Sequence, residues 1–79
     1  MSQPLTFAAW LRTALDRRSV DAGHLATAIG ATPAAVHAWL GGRRPGSPSV
    51  VRVLDALAVD ELEESEAWRA FRHTVRESM

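Results

Sequence analysis

The stretch from Leu25 to Pro45 reads Leu-Ala-Thr-Ala-Ile-Gly-Ala-Thr-Pro-Ala-Ala-Val-His-Ala-Trp-Leu-Gly-Gly-Arg-Arg-Pro. Apolar residues at Leu25, Ala26 and Ile29 keep helical spacing and stop at Gly30. A glycine there accepts the left-handed conformation that ends a helix without a steric penalty. Thr32-Pro33 then restarts the pattern. The hydroxyl can cap a helix, and proline fits the first helical position because its missing N–H would have no partner there. Val36, Trp39 and Leu40 continue this helix until Gly41-Gly42 end it. Two short helices joined by a tight turn at a glycine are the outline of a helix-turn-helix unit.

Working outward, Thr6 is a candidate cap. Phe7, Trp10, Leu11, Ala14 and Leu15 follow at i, i+3, i+4, i+7 and i+8, so the spacing predicts a helix ending near Arg18. Arg12, Asp16 and Arg17 fall off its apolar face. Asp21 is placed to cap the next helix, about Ala22 to Ile29. Ser47-Pro48 repeats the cap-then-proline pattern and predicts a helix with Val50, Val53, Leu54 and Leu57 inward. Asp60 and Glu63 have capping-box spacing for a last helix, while Ser65 as the cap would leave 60–64 as an acidic linker; the sequence permits both. Leu62, Trp68, Phe71 and Val75 mark the apolar side of that segment. Its acids come early and Arg69, Arg72 and Arg76 late, as the helix dipole favours. There is no internal repeat and no alternating strand pattern. The expectation is an all-α, compact domain of four to five helices spanning 1–79, with 1–5 a loose lead-in and 60–79 a C-terminal helix.

Composition bounds the function. A chain of 79 residues, 47% apolar, is one small globular domain with a marginal core. It has no cysteine, so no disulfide or thiolate metal site is available. No apolar run approaches the ~18 residues that suggest a membrane span, and the N-terminus lacks a basic-then-apolar signal. The expected setting is cytoplasmic, at the nucleoid if the chain binds DNA, with no membrane partner. The formal net charge is zero but unevenly spread. Residues 1–54 hold six Arg and two Asp, giving +4; residues 55–79 hold three Arg and seven acids, giving −4. One end attracts phosphate and the other repels it.

With these positions on the page, the chain resembles the phage-repressor-like (XRE- or Cro-type) helix-turn-helix family over roughly Trp10 to Val59. Leu25-Ala26, Ile29-Gly30, Thr32, Val36, Trp39, Gly42, Arg44 and Pro45 carry the resemblance. Val50, Val53 and Leu57 then follow five, eight and twelve residues past Pro45, in the family's register. The resemblance implies a lambda-repressor-like fold, often dimeric, that binds operator DNA to regulate transcription, with the third helix in the major groove. It places base-reading positions at Pro33, Ala34, His37 and Ala38. Four departures stand out, the most consequential being that among those base-reading positions only His37 can hydrogen-bond a base edge. The family's frequent Gln at the start of the second helix is Ala22 here. Its buried Arg–Glu pair between the first and third helices falls at Leu15 and Leu40, an exchange of ions for apolar packing that is often neutral or stabilising. The loop before Pro45 is one residue shorter than is common.

Each candidate has an ordinary reading beside the functional one. Arg43 and Arg44 clamp phosphates, with Arg44 also able to reach a base edge, or they are two charges on a solvated loop. Arg17 and Arg18 flank a DNA backbone or simply complement the dipole of their own helix. His37 reads a base or is a plain surface residue. Thr32 bonds phosphate or is occupied as a cap. Trp10 and Trp39 belong to the core. Trp68, Phe71 and Val75 pack inside the domain and, at the same time, offer a homodimer contact. Nothing resembles a nucleophile, a phosphate loop or a metal-ligand spacing, so the chain is read as a non-enzyme without metal or cofactor. Double-stranded DNA is the expected partner. The other reading, motivated by neutral charge, Ala22 and an alanine-rich third helix, is a repurposed fold serving as a protein–protein interaction module.

Overall fold

A computed structural model describes residues 6–77, with side chains as far as His73; the lead-in 1–5 lies outside the described residues. Five helices follow one another: α1 (Phe7–Arg18), α2 (Ala22–Ile29), α3 (Pro33–Leu40), α4 (Ser47–Ala56) and α5 (Glu61–Glu77). No strand occurs among the described residues. The expected all-α domain of four to five helices is thus observed with five among the described residues.

The core is built on α1. Phe7, Trp10, Leu11, Ala14 and Leu15, the five positions at helical spacing, are all buried. α1 packs against α3 on one side and α5 on another, while α2 packs against α3 and α4. Leu25, Val36, Val50 and Val53 fill the space between them. At the α1–α5 seam the Phe7 ring stacks on Trp10 (centroids 5.6 Å apart, planes at 29°) and meets Phe71 edge-on at 6.3 Å. Phe71 in turn meets Trp68 edge-on at 5.6 Å. Such offset and T-shaped pairs match the ring quadrupoles.

Every turn between helices closes in the same way. A left-handed residue stands one place past α1 and α2 and two places past α3 and α4; its N–H reaches back three residues, and the next N–H reaches back five. Val20 N–H bonds the Leu15 carbonyl, Ala31 the Ala26 carbonyl, Arg43 the Ala38 carbonyl and Val59 the Leu54 carbonyl. The left-handed residues are Ser19 (φ 53°), Gly30 (72°), Gly42 (110°) and Ala58 (51°). Two of these carry a Cβ where an L-residue is strained.

Capping bears out Thr6, Asp21 and Thr32, whose side chains accept from Ala9, His24 and Ala35 N–H groups. It also decides the last helix. Asp60 accepts from Glu63 N–H at 2.8 Å and Glu63 reaches back to Asp60 N–H at 3.5 Å, so Asp60 rather than Ser65 starts α5. Ser47 is a correction. Gly46 occupies the cap with extended φ and ψ and makes no side-chain bond, and Ser47 is already helical. Pro48 then still lies in the first turn, where its missing N–H leaves no bond unmade.

Arg18 ties three segments together. Its Nε donates to the Leu57 carbonyl at 2.9 Å, Nη1 to the Ala14 carbonyl at 3.2 Å, and Nη2 to both Glu63 oxygens at 2.8 and 2.9 Å. The two side chains are about one-fifth exposed. Arg18 is thus a structural anchor and not a phosphate contact.

Replacing Arg18 with Met should lower unfolding stability by about 1.5–3 kcal/mol, the range for hydrogen bonds to charged groups. A urea midpoint unchanged from wild type would remove the anchor. Ala58→Gly should have the opposite effect, raising stability by roughly 0.5–1 kcal/mol, because relief of the left-handed strain exceeds the added chain entropy. A chemical-denaturation series on the two variants measures both.

Candidate nucleic-acid interface

α2, the Gly30 turn and α3 form a packed pair of two-turn helices. Leu25, Ala26 and Ile29 of α2 and Val36 and Trp39 of α3 point into the core. Their burial fixes the rotation of α3, so its other face is turned to solvent. Thr32, Pro33, Ala34 and His37 are exposed and Ala38 is half-buried. The His37 side therefore faces outward and not toward the interior. His37 is the one side chain on that α3 face able to hydrogen-bond a ligand. The Thr32 hydroxyl is engaged by Ala35 N–H at 3.2 Å, and Thr27 of α2 donates to the Gly23 carbonyl at 3.1 Å.

The loop after α3 carries Arg43 and Arg44, both exposed, between the left-handed Gly42 and a buried Pro45. The Gly42 turn and the seated proline hold both ends of the loop. The Arg44 guanidinium carbon stands 6.0 Å from the Phe71 ring centroid, within cation–π range. Two predicted site residues from distant parts of the chain, one assigned to DNA and one to a dimer contact, therefore lie together. Trp68 and Phe71 are half-buried against the core and retain partial exposure. The Val75 side chain lies outside the described residues.

Sequence reasoning missed the role of Arg12. Leu15 is buried and Leu40 packs against the core, but the polar link between α1 and α3 is made by Arg12, whose Nη2 donates to the Leu40 carbonyl at 3.2 Å. Leu40 is the last residue of α3, and its carbonyl has no intrahelical partner. The signal was an Arg one turn before Leu15, read as surface.

At the start of α2, Asp21 accepts from His24 N–H at 2.8 Å and lies 3.0 Å from His24 Nδ1. The backbone bond from His24, then the side-chain contact, hold its carboxyl below the ordinary 3.8. Among the described residues no cluster of three or more His, Cys, Asp or Glu has metal-site geometry. No described helix is long and apolar enough to cross a membrane. Comparison with protein-family models, curated proteins and solved structures returned no match.

Because the folded pKa of Asp21 is depressed, its carboxylate contributes stability above the unfolded value, and that contribution is lost as pH falls through the folded one. The stability difference between wild type and Asp21→Asn should therefore be constant near neutrality and shrink below about pH 4, since an unperturbed Asp titrates near 3.9. A carboxyl titration followed by NMR should place Asp21 below the ordinary 3.8; a midpoint at or above that value would contradict the cap assignment.

Proposed function

We propose that this chain is a DNA-binding transcriptional regulator of the phage-repressor-like helix-turn-helix kind. α3 enters the major groove through Pro33, Ala34, His37 and Ala38, and Arg43 and Arg44 hold the phosphates. The observation that carries this reading is the solvent-facing side of α3, followed directly by two exposed arginines on a pinned loop. Val36 and Trp39 hold the opposite side in the core. Helix-turn-helix proteins present their second helix this way, with its N-terminal residues toward base edges.

The chemistry of the face sets the character of the binding. His37 can donate to or accept from a base edge, while Ala34 and Ala38 offer only methyl contact with thymine. Phosphate attraction and DNA shape therefore supply most of the energy. A homodimer across Trp68 and Phe71 would double the contacts on a two-fold site. A second reading has one observation in its favour: α3 exposes a single hydrogen-bonding side chain on a net-neutral protein, which suits a protein-interaction module as well.

The discriminating experiment is a mobility-shift titration on the DNA upstream of the chain's own gene, from 50 to 200 mM salt. Wild type should bind with a steep inverse salt dependence. The Arg43→Ala, Arg44→Ala double variant should flatten the log–log slope by about two, at roughly 0.9 per lost phosphate contact. His37→Ala should reduce discrimination against competitor DNA more than it reduces total binding. No salt-sensitive shift, together with a co-purifying protein, favours the interaction-module reading.

A further inference from the structure

α5 lies along α1 and not along α4, while α4 is held by α2. That arrangement leaves the outer flank of α4 uncovered where the chain turns into α5. Val51, Leu54, Ala58 and Val59 line a depression there, with Asp55 and Glu64. Val51 is 55% exposed and adjoins Leu54, Ala58 and Val59 in that lining. The Asp55 and Glu64 carboxylates have no hydrogen-bond or ion-pair partner among the described residues, and the nearby Glu63 is already taken by Arg18. Between Arg52 and Arg69 the sequence holds six acids and no basic residue.

We propose that this depression is a docking site for a basic helical segment of another protein, seating one aliphatic side chain against Val51, Leu54 and Val59 with Lys or Arg on Asp55 and Glu64. The apolar floor supplies the area and the uncompensated carboxylates select the sign of the partner. The same charge repels nucleic acid, so this face is not a second DNA contact. It is also separate from α3. Arg44 meets α5 at Phe71, whereas Arg18 meets it at Glu63, eight residues earlier and about 12 Å along the helix axis at 1.5 Å per residue. None of the residues lining the depression belongs to α3 or to the loop of Arg43 and Arg44, and the docking site does not rest on the DNA-binding reading.

The test uses the full chain, isotopically labelled for NMR and titrated with a synthetic amphipathic helical peptide of Leu and Lys. Matched peptides carry Ser for Leu or Glu for Lys. Amide shifts should centre on Val51, Leu54, Asp55, Ala58, Val59 and Glu64, and both matched peptides should bind at least about tenfold more weakly, a loss of ~1.4 kcal/mol. Val51→Glu adds negative charge but removes apolar area, so it should weaken the Leu–Lys peptide. Asp55→Lys with Glu64→Lys should abolish binding. Leu62→Ser, at an exposed leucine outside the depression, should leave it unchanged. Binding of the Ser peptide equal to that of the Leu peptide, or tighter binding by Val51→Glu, would reduce the face to nonspecific acidity and overturn the proposal. So would a dimeric mass in light scattering that Val51→Glu converts to monomer, since the occupant would then be a second copy.

Discussion

α1 delivers guanidinium groups to the C-termini of two other helices. Arg12 donates to the last carbonyl of α3, and Arg18 donates to the carbonyl of Leu57, where α4 ends. Helix ends leave carbonyls without partners and carry partial negative charge, so a cation there satisfies both deficits. Arg18 adds a two-oxygen contact with Glu63, which is itself part of the α5 capping box. One side chain thereby fixes where α4 stops and where α5 begins. The direction given to α5 carries Phe71 onto Phe7 and beneath Arg44. Burial of the apolar core supplies the bulk of the stabilisation, but apolar contacts are tolerant of rotation. The directed bonds of Arg18 select one arrangement among those that the core would accept.

The helices were legible in the sequence for a local reason. Phe7, Trp10, Leu11, Ala14 and Leu15 repeat at helical spacing, and Thr6, Asp21 and Thr32 are short polar side chains placed just ahead of apolar runs. The turns were legible only where glycine marks them. Gly30 and Gly42 stand at left-handed positions, but the same turn forms at Ser19 and Ala58, which carry no such mark. There the closing bonds to Leu15 and Leu54 are enforced by the packing of the flanking helices, a tertiary effect that no local pattern encodes. Ser47 misled for a related reason: the cap-then-proline pattern can shift by one residue because the first turn has several donors without partners.

The candidate interface divides along the same line. The outward face of α3 follows from Val36 and Trp39 facing inward, and both were readable by spacing. The contacts of Arg12, Arg18 and Arg44 were not. Each joins residues more than 25 positions apart, and an arginine on a helix surface looks alike in sequence whether it faces water, phosphate or a carbonyl. The grouping of the exposed Asp55 and Glu64 carboxylates beside Val51 is visible only once α5 is seen to lie on α1. The charge imbalance between the two parts of the chain was plain from composition; its placement around an apolar hollow was not.

The shortness of α2 and α3 has a further consequence. Each spans eight residues, well below the ~12–15 at which an isolated helix becomes even marginal in water. Neither can exist as a pre-formed element that later docks. Their formation is thus coupled to that of the domain, and the outward surface of α3 is present only while α1 and α2 are packed against its other side.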